Sequence, residues 1–332
     1  LIGPDNLNLS KILSWCAMKY DIFKTKYQTV LSDKKTVKML KQMIGHIPTF
    51  EEFLVEDSYL ANQLDDVLGI NTNAEELFYE QSRKLVFVNK SIVEMLNRAK
   101  FTSNLNATIR PPEGFETFAL CFEKDTYVKV NGHNIKLYPC QITVLSEEEM
   151  YEKVHVPFGE LTGLKIQRNP EINISITVSY KIKDVTYRSC VDVSEIISKL
   201  DDGVKESSEL SRIVDQRLND IEQLTTNTLM KIAVQLLIFN SATDNKYLVN
   251  GFPHQAKFRM PERTTRNYWN ASYFDYEPSN KISEHIRSAH FRNLQHDKFY
   301  RGDFETVQKG SRWVLVKESF VGKSKTYVQL DS

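Results

Sequence analysis

Three of the chain's seven histidines fall in one twelve-residue window, His285-Ile286-Arg287-Ser288-Ala289-His290-Phe291-Arg292-Asn293-Leu294-Gln295-His296, with two arginines between them and Lys298 and Arg301 just beyond. Imidazoles beside guanidinium groups suit several kinds of chemistry. Two imidazoles on one phosphodiester can act as acid and base while arginine meets the phosphate charge, as in metal-independent ribonucleases, and His285, His290 and His296 are the candidates. Arg287, His290, Arg292, Lys298 and Arg301 can instead hold single-stranded RNA by charge, with phenylalanine stacking on bases and no reaction at all. A metal would need carboxylates at matching spacing, and only Glu284 and Asp297 stand nearby, so no metal is expected. The same side chains can also hydrogen-bond backbone carbonyls and simply hold an irregular loop in place. The residues alone leave these readings open.

A second cluster lies just upstream. Arg263 and Arg266 precede Tyr268-Trp269-Asn270-Ala271-Ser272-Tyr273-Phe274-Asp275-Tyr276, in which five of nine residues are aromatic. Such a run offers a stacking or peptide-binding surface, or a loop that packs its rings inward. The common catalytic motifs are missing: there is no HExxH, no GxSxG and no Rossmann glycine run. Gly322-Lys323-Ser324 imitates the end of a phosphate-binding loop, but Lys317 stands where the first glycine belongs. Glu147-Glu148-Glu149 point in different directions and read as the solvated start of a helix. No cofactor is implied.

Composition bounds what these residues can belong to. In 332 residues, 41% are hydrophobic and 26% charged, ordinary globular usage that excludes collagen-like, coiled-coil and disordered classes. Four scattered cysteines without a CxxC pair give neither a disulfide framework nor a thiolate zinc site, which fits a reducing compartment. The longest apolar stretch, Ile232 to Phe239, is far short of the roughly 20 residues that cross a bilayer, and no basic-then-apolar leader opens the chain. A cytoplasmic protein with no membrane partner is expected. The chain opens at Leu1-Ile2, so its native start is expected upstream, and without a leader the five N-x-S/T sequons read as chance. Formal charge is zero overall, yet from Lys257 onward 14 Lys/Arg face 9 Asp/Glu. A basic carboxyl end on a neutral chain points to an anionic partner.

Several elements must position these residues. The first hundred residues read helical, with apolar stripes through Leu9, Ile12, Leu13, Cys16, Tyr20 and Phe23 and again through Phe50, Phe53, Leu54, Tyr59, Leu60 and Leu64. Glu75 to Arg98 is also read as helix, although Leu85-Val86-Phe87-Val88 has the makings of a buried strand. After Arg110-Pro111-Pro112-Glu113-Gly114, β signals begin. Phe118, Leu120 and Phe122 alternate, Asn131-Gly132 marks a hairpin between residues 126–130 and 133–137, and Ile172, Ile174, Ile176, Val178, Tyr180 and Ile182 alternate up to a turn at Lys183-Asp184 and return through Val185, Tyr187 and Ser189. The pattern predicts an antiparallel meander with one face buried. A short helix over Ser194–Leu200 follows, then a long one from about Ser207 to Phe239, apolar on nearly every side of its second half and so expected between layers. Strands are expected at Arg312–Lys317 and Lys325–Leu330. The class is α+β: a helical amino-terminal region (1–109), an antiparallel sheet with a long helix (110–256) and a basic His/Arg-rich carboxyl-terminal module (257–332).

Ile286-Arg287-Ser288-Ala289-His290-Phe291-Arg292, followed some twenty residues later by Ser311-Arg312-Trp313-Val314-Leu315-Val316-Lys317, resembles the carboxyl-terminal signature of the second family of type V-A anti-CRISPR proteins. The similarity covers roughly Phe115 to Tyr327 and is specific near Arg287 to Arg292. It departs at Glu318-Ser319-Phe320-Val321, where the family carries a tryptophan or proline-rich turn, and the first hundred residues show no match. The resemblance implies a phage or mobile-element protein that disarms host immunity by engaging a CRISPR effector as it is translated. Its partners would be a host defence protein or nascent peptide and RNA or the ribosome, with Arg287, His290, Arg292, Lys298, Arg301, Arg312 and Trp313 on the contacting surface. Arg263, Arg266, Tyr268, Trp269 and Tyr273 are the candidates for a peptide or aromatic surface. Whether the chain is an enzyme stays open, with a ribonuclease or a phage structural or assembly protein as the other readings.

Overall fold

The computed structural model describes residues 25–54, 70–80, 84–102, 107–130, 132–152, 156, 160, 174–183, 185–201, 220–243, 248–250, 268–271, 286–287, 290–316 and 319–320. The expected helix over Leu9–Phe23, the later part of the Phe50–Leu64 stripe, residues 207–219 of the long helix and the strand at Lys325–Leu330 lie outside them. In chain order the elements are α1 (Lys26–Ser32), α2 (Lys34–Ile44), α3 (Ile70–Glu80), β1 (Leu85–Val88), α4 (Lys90–Arg98), β2 (Lys100–Thr102), β3 (Thr117–Phe122), β4 (Tyr127–Val130), β5 (His133–Lys136), β6 (Cys140–Ser146) and α5 (Glu147–Met150). There follow β7 (Ile174–Ile182), β8 (Val185–Asp192), α6 (Val193–Asp201), α7 (Asp220–Ala242), β9 (Leu248–Asn250), β10 (Tyr268–Ala271), β11 (Ile286–Arg287), β12 (His290–Asn293), β13 (Trp313–Val316) and β14 (Ser319–Phe320).

These elements make an α+β architecture around a seven-stranded sheet in the order β8-β7-β6-β3-β1-β10-β9. A three-stranded sheet, β13-β12-β2, and two ribbons, β4-β5 and β11-β14, complete it. The meander is only part of this plan. From β3 to β8 the large sheet is antiparallel, but β1 runs parallel to both β3 and β10. The Gly132 hairpin stands apart as its own ribbon, and β3 pairs directly with β6. Gly132 takes a φ of 83°, the left-handed conformation that its turn requires.

Leu85–Val88 corrects the helical reading of Glu75–Arg98. A four-residue run of Leu, Val and Phe fits a strand buried on both faces, and its neighbours on either side, α3 and α4, are separate helices. The boundary signal is Asn89, whose side chain accepts from the Ile92 amide at 2.9 Å and caps α4.

Period-two alternation also sorts two chemistries onto the two sides of the sheet. Cys140, Ile142, Val144, Ile176, Val178 and Tyr180 face the main core, where α7 lies with Leu229, Met230, Ala233, Leu236, Leu237 and Phe239 buried. α7 touches β6 and β7 on one side and α4, β12 and β13 on others, so it sits between layers as its all-round apolar character requires. The opposite side of the sheet is buried as well, which corrects the one-sided reading. Gln141, Thr143, Ser175, Thr177 and Ser179 are covered by α3. The Ala74 carbonyl of α3 accepts from Gln141 Nε2 at 3.0 Å and from Thr143 Oγ1 at 3.1 Å, so hydrogen bonds join a small apolar cluster of Ile70, Leu77, Leu145 and Cys190 in holding α3 to this face.

The three intervals separated by sequence punctuation are interleaved in space. The large sheet takes β1 from the first, β3, β6, β7, β8 and β9 from the second and β10 from the third.

Candidate nucleic-acid interface

Most of the histidine-arginine window becomes β12, and pleating decides which side chains are offered to solvent. Phe291 is fully buried, stacked on Phe101 of β2 at 4.9 Å and edge-on to Phe239 of α7 at 6.2 Å. Asn293 also points inward, its amide donating to the Gly310 carbonyl at 2.6 Å. The next strand is anchored by Trp313, whose indole N–H donates to the Thr108 carbonyl at 2.9 Å. His290 and Arg292 therefore share the outward face.

Register extends that face across three strands. His290 lies opposite Lys100 of β2 and Val316 of β13, while Arg292 lies opposite Thr102 and Val314. Lys100, Thr102 and Arg292 are exposed, with His290, Val314 and Val316 half-buried. Neighbouring strands are about 4.8 Å apart and alternate residues about 6.7 Å apart, so the two cations and the imidazole occupy a patch of roughly one nucleotide step. Neither Lys100 nor Arg292 meets an acid among the described residues. Like charges on one sheet face disfavour the sheet unless an anion joins them. Sequence reading missed Lys100 because its place beside His290 arises from parallel pairing across 190 residues.

The loop from β12 to β13 spends several expected contact residues on its own shape. His296 caps a 3-10 turn, its Nδ1 accepting from the Lys298 amide at 3.2 Å. Arg312 donates to the Phe299 carbonyl and lays its guanidinium 3.4 Å above the Phe304 ring. Tyr300 ties the loop shut, donating to the Leu294 carbonyl at 2.6 Å and accepting from the Gly310 amide at 2.7 Å. Lys309 holds Asp297 at 2.5 Å and keeps its carboxyl below the usual range. Lys298 and Arg301 remain exposed.

Placement corrects one expectation outright. Trp313 is 3% exposed and belongs to the core, so it offers no surface for a ligand. Arg287 lies in β11, paired with β14, and Tyr268 and Trp269 lie in β10, an interior strand between β1 and β9. His285, Arg263, Arg266 and Tyr273 fall outside the described residues. His290 and His296 are carried apart by β12, which continues as a ladder to Leu294, about 13 Å beyond His290. Among the described residues, His290 and His296 are therefore not brought together on one phosphate. Among the described residues no three His, Cys, Asp or Glu side chains come together as a metal site.

Carboxylates and thiols elsewhere are also committed. Glu149 closes a capping box with Ser146, and Glu147, expected in solvent, is buried at the sheet end. Cys121, Cys140 and Cys190 are buried and outside any disulfide, and desolvation pushes the Cys190 thiol up to about 12. No protein-family model, curated protein or solved structure matches the chain.

Proposed function

We propose that the protein is an anti-defence interaction protein of a phage or mobile element, acting on a host immunity protein or its nascent chain in the host cytoplasm. The outward face of β13-β12-β2 contacts RNA of the translating complex. One observation carries the RNA contact: Lys100, His290 and Arg292 stand in register on an exposed sheet face, without acidic partners for the two cations among the described residues. Among the described residues the face bears no phenylalanine, tyrosine or tryptophan ring, so its two cations would grip phosphates, with His290 the one ring beside them. The resemblance around Arg287 to Arg292 supports the choice of a defence target. Nothing in the arrangement favours the ribonuclease or particle-assembly readings over this one.

The test is co-purification from cells after mild crosslinking, comparing the intact protein with a Lys100→Gln/Arg292→Gln variant that melts normally. Recovery of ribosomes, RNA and one nascent host protein, with the RNA lost in the variant, is expected. Binding to RNA in vitro should also lose about 0.7 from its logarithmic salt slope for each phosphate contact removed. RNA recovered shortened would replace this reading with the nuclease, and an unchanged yield from the variant would remove the sheet face from the interface.

A further inference from the structure

α2 has the sequence Lys34-Lys35-Thr36-Val37-Lys38-Met39-Leu40-Lys41-Gln42-Met43-Ile44, and none of its residues is buried. At 100° per residue the four lysines gather on one side and Val37, Met39, Leu40, Met43 and Ile44 on the other. A helix with segregated faces ordinarily hides the apolar one. Here Met39 is 51% exposed, Met43 72%, Ile44 45% and, just past the helix end, Ile47 42%. The shape that presents them is fixed. Gly45 turns the chain with a φ of 82°, the Tyr27 hydroxyl donates to the Pro48 carbonyl at 2.8 Å, and the Tyr27 ring packs on Phe50 and Phe53.

Charge says what meets this face. Lys34 and Lys35 stand in the first turn, where cations oppose the helix dipole, so their placement does not serve the helix. The acid beside them, Asp33, is occupied as the N-cap, accepting from the Lys35 amide at 3.2 Å and from Thr36 Oγ1 at 2.6 Å. Glu52, on the following segment, is taken up by His46 and the Thr49 amide. On the helical wheel Lys35 borders Met39 and Lys41 borders Val37, so cations flank the apolar side. RNA would satisfy the lysines and leave the methionines and isoleucines in water. An anionic lipid surface takes both, with headgroup phosphates at the lysines and the acyl boundary at the apolar side chains.

We propose that α2 seats the protein on an anionic membrane surface, with Met39, Met43, Ile44 and Ile47 entering the headgroup boundary and Lys35 and Lys41 meeting lipid phosphates. No helix of the described residues is long and apolar enough to cross a membrane, and this seating needs none. It also lies on a different element from the β12 face and does not depend on it.

Flotation of the full chain with vesicles of phosphatidylcholine, with and without phosphatidylserine, tests this. Binding is expected only with phosphatidylserine, weaker in high salt and about fivefold weaker for each of Lys35→Gln and Lys41→Gln. Met43→Ser should also release the protein while leaving its melting temperature unchanged. Absence of binding, or equal binding to both vesicles, would overturn the proposal. A melting temperature lowered by Met43→Ser would overturn it too, since the face would then be packed inside the free protein. Lysine variants that lose RNA and keep vesicles would assign α2 to nucleic acid instead.

Discussion

Arg188 reaches Glu75 across 113 residues of chain and makes two contacts, Nε to Oε1 at 2.6 Å and Nη2 to Oε2 at 3.3 Å. The Glu75 side chain is only 3% exposed and also accepts from the Lys26 amide at the start of α1, so one carboxylate joins β8, α3 and α1. Removing the cation strands a buried charge. Arg188→Ala should destabilise by about 3–5 kcal/mol in urea unfolding, while Arg188→Met with Glu75→Gln should recover part of that loss. Thiol chemistry gives a second expectation. Unfolded cysteine ionises near pH 8.5, whereas folded Cys190 keeps its proton until about 12, so the folded state binds more protons between those values. Stability should therefore fall as pH rises above about 8.5, by up to about 1.4 kcal/mol per pH unit from this group. Burial raises Cys140 and Tyr180 in the same direction. Burial lowers Lys231 and Lys84 and so pulls the other way. Comparing denaturant midpoints of the intact protein with Cys190→Ala across pH 7.5 to 10 isolates the thiol; an equal pH dependence in the variant would contradict it.

Among elements, the hairpins were the most legible in sequence. Asn131-Gly132 specified β4-β5 because local turn chemistry alone decides it. Gly132 has nothing within 4 Å of where a side chain would begin, so Gly132→Ala should destabilise through backbone conformation only, by about 1 kcal/mol, measurable as a lower melting temperature. β1 was misread because four apolar residues carry no period that separates a strand from a helix. Its assignment rests on neighbours that arrive from residues 117–122 and 268–271. The site followed the same rule. His290 and Arg292 could be singled out by type, while Lys100 and the inward turn of Trp313 depend on strand register. The polar layer under α3 was invisible for a related reason: Ser175, Thr177 and Ser179 read as a wet face until a helix covers them.

At the scale of the whole molecule, the large sheet draws on every part of the chain, and α7 packs on both sheets. Cooperativity should follow from that interleaving. Residues 110–256 expressed alone should fail to fold, since they lack β1 and β10 from the middle of the sheet, and the full chain should melt in one calorimetric transition. Two separated transitions would show that the three intervals fold independently. Order of manufacture gives the sheet's topology another meaning. β1 leaves the ribosome ahead of both its neighbours, β3 following closely and β10 only about 180 residues later. At roughly 5–20 residues per second that delay is about 10–40 s, during which Val86, Phe87 and Val88 border an open strand edge. Yield in the cell should then depend on translation speed and on chaperones that shelter this edge, more than on the stability of the finished fold.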